Sequence, residues 1–246
     1  DPFAGLVIGI VVTSIVQSSS MTTSIVVAMA GAGTISLEHA VPIIMGANIG
    51  TTVTNTIVSF AYVGRKQEFE PAFGASIVHD MFNIYSVLVL FPLQLATGFL
   101  LKAALLATDV FKDCGGFTFI SPLKYILQPV SHWISWLIPN KIVLLVLALV
   151  VLFLALSRIV KSMKGMIMRR VEVMLNKYLF RNMFISLVFG LVLTATVQSS
   201  SITTSLIVPL VAAGMLTIEQ IFPYTLGANI GTTITAILAA LGLSSA

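Results

Sequence analysis

Most of the polar chemistry of this chain sits in four short runs inside apolar sequence. Gln17-Ser18-Ser19-Ser20 and Gly46-Ala47-Asn48-Ile49-Gly50-Thr51-Thr52 return as Gln198-Ser199-Ser200-Ser201 and Gly227-Ala228-Asn229-Ile230-Gly231-Thr232-Thr233, at a constant offset of 181 residues. Each Gln-Ser-Ser-Ser run offers an amide and three hydroxyls. The N–H groups of a helix starting there add partial positive charge, which suits an anion. The hydroxyls, the side chains of Asn48, Thr51, Asn229 and Thr232, and carbonyls unwound at the Gly-rich runs are hard oxygen ligands for a small cation. Neither repeat core holds a Lys or Arg. A doubly charged anion there must therefore be balanced by bound cations, which makes coupling an electrostatic consequence.

These residues need elements that bring them to membrane depth. Hydrophobic residues make up 57% of the chain and charged residues only 9%, with mean hydropathy +1.04. Soluble domains carry about 25% charged residues, so the composition is that of a chain in a lipid bilayer. Between Gln17 and Thr54, 20 of 38 positions are identical to their partners from Gln198 to Thr235. Duplicated hydrophobic segments with polar, Gly-rich interruptions point to the binding site of a transporter. The apolar limbs flanking each Gln-Ser-Ser-Ser run reach only about 20 Å as helices, short of the roughly 30 Å of hydrocarbon. Each pair reads as a re-entrant hairpin with its polar tip near the midplane. A full-length span follows each hairpin, Pro42–Val63 and Pro223 to about Leu243, expected to break at Asn48–Thr52 and Asn229–Thr233.

Charge sets the expected orientation. Copy one ends at Arg65-Lys66 and copy two follows a basic run ending at Arg181, and clustered basic residues mark the cytoplasmic side. One copy ends where the other begins, so the repeats should be inverted. The expected layout is an all-α membrane protein: inverted repeat one over 1–64, linker spans over 65–182, and inverted repeat two over 183–246. The linker comprises a span near Phe73–Leu90, an outside loop over 108–140, a span near Ile142–Leu156 and a basic cytoplasmic segment over 158–182.

Asp80 alone among the acids lies in the middle of an apolar span, with Ser76 and Asn83 at helical spacings of four and three. An intramembrane carboxylate costs about 2.5–3.5 kcal/mol on insertion scales, and a cation partner offsets that. His79 beside it reads as a packed, hydrogen-bonded residue. A lone Cys114 excludes an intramolecular disulfide. The three His are scattered, neither Ser-rich tip has an adjacent base, and no Gly-x-Ser-x-Gly elbow occurs. A membrane-embedded Ser phosphatase or transferase is thus a remote alternative, and the chain is expected not to be an enzyme. Nothing points to nucleic acid or to a bound cofactor.

The two Gln-Ser-Ser-Ser runs, the paired Gly-Ala-Asn-Ile-Gly-Thr runs and Val78-His79-Asp80 closely resemble the type II sodium/phosphate cotransporters. The resemblance spans both repeats and the first linker span. It implies a multi-pass plasma-membrane symporter that takes up inorganic phosphate with sodium. It also implies that phosphate is bound by Gln17, Ser18, Ser19 and Ser20 with Gln198, Ser199, Ser200 and Ser201. Thr232 and Thr235, with Gln198 and Ser199, match positions of sodium binding in that family, and Asp80 matches the acid of its electrogenic members. Ser76, Asn83, Asn48, Thr51 and Asn229 complete the expected sodium ligands. Two departures stand out: no Asn-x-Ser/Thr sequon occurs, and Tyr62-Val-Gly-Arg65 replaces an expected Gln and Asp. The missing sequon, with the lone Cys114, points to a bacterial source and its inner membrane. Neutral donors would also suit another small oxyanion or a carboxylate.

Overall fold

The computed structural model of the chain describes residues 1–111, 129–151 (except 131, 135, 141, 145 and 149) and 173–243, and these are helical with turns and no strand. The outside loop expected over 108–140, with Cys114, and the basic segment expected over 158–182 fall largely outside the described residues.

Each repeat opens with two short helices meeting at a polar corner. Helix α1 (Pro2–Val16) starts at Asp1, whose carboxylate caps the Phe3 N–H, with proline at the first helical position. It ends at Gln17 in the left-handed region (φ 57°), after which extended Ser18 caps α2 (Ser19–Gly31) by accepting from Met21 N–H. The second copy repeats this. Helix α6 (Met183–Val197) starts under Asn182, ends at left-handed Gln198 (φ 56°), and Ser199 caps α7 (Ser200–Ser205) through Ile202 N–H. Here the copies part. A turn at Leu206 separates α7 from α8 (Ile207–Ala212), because Pro209 has no N–H for the Ser205 carbonyl. Its partner position, 181 residues earlier, is Ala28 in unbroken α2.

The long helices are α3 (Leu37–Ser59), extended by a 3₁₀ turn at Phe60–Tyr62, and α9 (Ile218–Leu243), with α4 (Lys66–Thr97) between the repeats. By length and composition, Leu37–Tyr62 and Lys66–Thr97 are each sufficient to cross a membrane. Left-handed Gly98 turns α4 into α5 (Phe99–Phe111).

Neither long repeat helix breaks where the sequence suggested. Asn48–Thr52 lies inside continuous α3 and Asn229–Thr233 inside continuous α9, so no unwound carbonyls are offered there. The glycines do a different job. A Cβ on Gly46 would overlap the carbonyl oxygen of Leu6 in α1, and one on Gly227 would overlap that of Leu187 in α6. Small residues here bring helix backbones into contact, as they commonly do between membrane helices. The α1–α3 and α6–α9 contacts are accordingly the most extensive in the fold.

The copies also interlock. Helix α2 packs on α9 of the other copy, and α7 packs on α3. Helix α4 touches both repeats at different ends. Near its C-terminal end Phe91 stacks edge-on against Phe3 at 5.1 Å, whereas near its N-terminal end Gly74 lies against Ile218. One apolar core joins Phe180, Ile207, Val211, Ile221 and Tyr224, and a second joins Val58, Tyr62, Ala72 and Val208.

Candidate functional site

The two polar corners meet. Ser20 Oγ donates to the Gln198 carbonyl at 3.3 Å, and Ser201 Oγ donates to the Gln17 carbonyl at 3.5 Å, so the bonds are reciprocal under the offset of 181 residues. Ser19, Ser20, Ser200 and Ser201 are buried, while Ser18 and Ser199 are partly open. Since Ser18 and Ser199 accept backbone N–H groups as caps, their own hydroxyl hydrogens remain available to donate. Each corner is tied inside its hairpin by a buried threonine pair, Thr13–Thr22 at 3.0 Å and Thr194–Thr203 at 2.7 Å. Two non-glycine residues in the left-handed region, at equivalent corners, store about 1–3 kcal/mol each, a cost found at ligand clamps and switch points. The amide of Gln17 is held from both sides: Oε1 accepts from Thr54 Oγ1 at 2.7 Å, and Nε2 donates to the Ser14 carbonyl.

Beside the corners, α4 inserts a polar face between the repeats. Thr56 Oγ1 donates to Asp80 Oδ2 at 2.8 Å, while Asp80 Oδ1 is buried without a hydrogen-bond partner. Next to it, fully buried His79 is held at both ring nitrogens: Nδ1 lies 3.1 Å from Asn55 Nδ2, and Nε2 lies 2.9 Å from Asn229 Oδ1. Asn55 Oδ1 in turn accepts from Ser205 of α7 at 3.1 Å, with Thr204 Oγ1 at the same distance and bonded to the Ser200 carbonyl at 2.7 Å. Asn83 Nδ2 donates to the His79 carbonyl, and Asn229 Nδ2 reaches Asn83 Oδ1 at 3.5 Å.

The expected ligands therefore divide. The two Gln-Ser-Ser-Ser runs meet through Ser20–Gln198 and Ser201–Gln17, while Asn83 and Asn229 are joined to each other and to His79, next to Asp80 in α4. Ser76 is buried but turns its hydroxyl to the Phe73 carbonyl of its own helix. Thr51 and Thr232 likewise bond back to Ala47 and Ala228. Asn48 is exposed among the described residues, unlike its counterpart Asn229. Thr235 lies in α9, with its side chain outside the described residues. Sequence reasoning missed Asn55, Thr54 and Thr56. Asn55 had one signal, a polar stripe Thr52–Asn55–Ser59 at helical spacing. Its partner at the repeat offset is Ala236, so a reading guided by duplication passes over it.

Comparison with known proteins identifies the family. The sequence pattern of the Na+/Pi-cotransporters matches residues 1–109 and 140–246. Among curated relatives, the sodium-dependent phosphate transport protein 2A of Ovis aries is 35% identical across 98% of this chain and 50% of its own length. The 2B proteins of Pongo abelii and Homo sapiens are 33% and 32% identical, across 98% of this chain and 48% of theirs. No solved structure matches. The chain spans about half the length of the curated relatives it matches. With duplicated polar corners that meet and an acid beside them, it belongs to the Na+/Pi-cotransporter family.

Proposed function

We propose that this chain carries the substrate-binding core of a secondary active symporter that couples sodium entry to uptake of inorganic phosphate. The observation that carries the reading is the reciprocal pair of bonds between the two corners, Ser20 to Gln198 and Ser201 to Gln17. It concentrates hydroxyls and helix N-termini from both repeats at one locus.

Phosphate binds there through Gln17, Ser18, Ser19 and Ser20 together with Gln198, Ser199, Ser200 and Ser201. Each hydrogen bond to a charged ligand contributes about 1.5–3 kcal/mol, so several neutral donors hold the anion without Lys or Arg. Sodium supplies the missing positive charge. Asp80 is the natural partner for one ion, since its Oδ1 is buried without a hydrogen-bond donor. Asn83 and Asn229 join it through His79, its neighbour in α4, and Gln198, Ser199, Thr232 and Thr235 are assigned to a second sodium site by their match to the family's positions. Ser76, Asn48 and Thr51 are weaker members of the set. Differential affinity is reciprocal, so phosphate tightens sodium binding by the factor by which sodium tightens phosphate.

The repeats are read as inverted in the bilayer, each a re-entrant hairpin and one spanning helix. Two features support this: Phe3 and Ile218, near the starts of α1 and α9, contact opposite ends of α4, and basic Arg65-Lys66 marks its N-terminal end as cytoplasmic. The protein is placed in a plasma membrane, as a multi-pass chain.

Radiolabelled phosphate uptake into proteoliposomes tests the reading. Uptake should require an inward sodium gradient and fall under excess unlabelled phosphate. Equal uptake with and without sodium would overturn it. Stronger competition by another oxyanion or a carboxylate would keep the mechanism and reassign the substrate.

A further inference from the structure

We infer that Asn55 and His79 form a positioning relay that ties the second polar corner to Asn229 through the residue next to Asp80 in α4. The inference rests on the sodium/phosphate reading for what the two ends bind, but the relay itself follows from hydrogen-bond polarity.

The polarity can be worked out from the Asn83 end. There, Asn83 Nδ2 donates to the His79 carbonyl at 3.0 Å, which fixes the Asn83 amide and leaves its Oδ1 facing Asn229. Asn229 must therefore present Nδ2 to Asn83 and Oδ1 to His79, so His79 Nε2 carries the hydrogen. In a neutral ring Nδ1 is then an acceptor. That acceptor takes the Asn55 Nδ2 hydrogen at 3.1 Å, which leaves Asn55 Oδ1 to accept from the Ser205 hydroxyl, also at 3.1 Å. The chain Ser205 to Asn55 to His79 to Asn229 runs head to tail with one direction throughout.

Its position gives it a task. Ser205 closes α7, a helix of only six residues that opens at the Ser199–Ser201 corner, so corner and relay share one short rigid piece. Asn55 is on α3, His79 on α4 and Asn229 on α9, so the chain stitches four helices from both repeats and the linker. Asn55 and Asn83 are nearly inaccessible, at 2% and 5% exposure, and His79 is at 1%. Buried polar groups in such a network hold one geometry, because any reorientation leaves a donor or acceptor unpaired. Movement of the second corner is thereby transmitted to the Asn229 amide, held by the residue that precedes Asp80 in α4. The relay is one-sided, since Ala236 stands where a second Asn55 would be.

The test uses the full-length protein, with sodium titrated at constant ionic strength. Two readouts are taken: melting temperature in detergent, and phosphate uptake in proteoliposomes. Asn55→Leu keeps the volume and removes both hydrogen-bonding functions. His79→Gln cuts the middle, since one amide cannot reach both neighbours. Coupling between sites commonly spans 5–150-fold, so each variant should raise the half-saturating sodium concentration by about tenfold. The double variant should be no worse than either single one, because a chain cut once is already open. A residue with only a packing role would lower the melting temperature or the yield without moving sodium half-saturation, and that result overturns the inference. Additive shifts in the double variant overturn it too. Should Asn55→Leu fail to fold, Ser205→Ala trims the head of the chain and should move sodium half-saturation in the same direction. A parent protein that melts higher with sodium yet takes up no phosphate would remove the transport reading, while the melting titration would still decide the relay. If sodium does not shift the parent's melting temperature, the relay has nothing to position and the inference fails.

Discussion

Asn48 and Asn229 occupy the same place in the same seven-residue motif, yet one is exposed and the other is held between His79 and Asn83. Much beneath them is shared: the glycine contacts, the left-handed glutamines, the threonine ties and the crossed serine bonds all obey the offset of 181 residues. The difference is α4. Its polar face meets Asn229 and leaves Asn48 alone among the described residues. Duplication has thus provided a symmetric scaffold, and a helix outside the duplicated unit makes the site asymmetric.

The largest expected effect tests the symmetric part. Gly46→Leu and Gly227→Leu force a side chain into the backbone of α1 or α6, where even a Cβ has no room. Overpacking commonly costs 1–3 kcal/mol and more against rigid backbone, so each should cost at least about 3 kcal/mol and remove monodisperse protein from size-exclusion profiles. Comparable loss in both variants supports equivalent packing. A tolerated Gly227→Leu would break the comparison at its base.

Next come the corners. Replacing Ser18 and Ser19, or Ser199 and Ser200, by Ala should abolish phosphate uptake in either repeat while folded protein persists. Two lost hydrogen bonds to a charged ligand amount to about 3–6 kcal/mol, more than a hundredfold in affinity. Uptake that survives loss of one corner but not the other would show that the phosphate site is as asymmetric as the α4 side.

These two regions also divide what could be seen in the sequence. The hairpins were legible because limb length and the polar interruption act locally: a helix of 15 residues ending at Gln-Ser cannot cross a bilayer. The Gly-Ala-Asn-Ile-Gly runs were misread as breaks. Glycine permits both an unwound backbone and close helix approach, and only a partner helix decides between them. Here α1 and α6 supply that partner, and the helices stay continuous. The helical spacing of Ser76, Asp80 and Asn83 marks one polar face of α4, of which Ser76 bonds back to its own helix. Asn55 was hidden because its role depends on α7 and α4 arriving from distant sequence.

The third test turns on the asymmetry itself. Asn229→Ala leaves the His79 Nε2–H and the Asn83 carbonyl oxygen without their partner, at a cost of about 1–3 kcal/mol. Asn48→Ala removes an exposed side chain and should stay within about 0.5 kcal/mol. Thermal melting of both variants in one detergent compares them directly. Equal losses would mean that Asn48 has a covering partner and that the two faces are alike.

The smallest effect is expected inside the hairpins, where the copies should again be indistinguishable. Thr13→Val and Thr194→Val keep side-chain shape and remove one hydroxyl from each threonine pair. Neither change orphans its partner. Thr22 also reaches the Ser18 carbonyl, and Thr203 also reaches those of Ser199 and Ser200. The loss is therefore that of one interhelical hydrogen bond, which between membrane helices averages about 0.6 kcal/mol. The two ties share no residue, so their effects should add in the double variant to within about 0.3–0.5 kcal/mol. Equilibrium unfolding in mixed micelles resolves such differences when variants are run side by side. If Thr194→Val costs several times more than Thr13→Val, the second hairpin depends on its tie more than the first does. The interruption at Leu206 and Pro209 gives that outcome a physical source, because α7 alone is too short to hold its corner without the bond to α6.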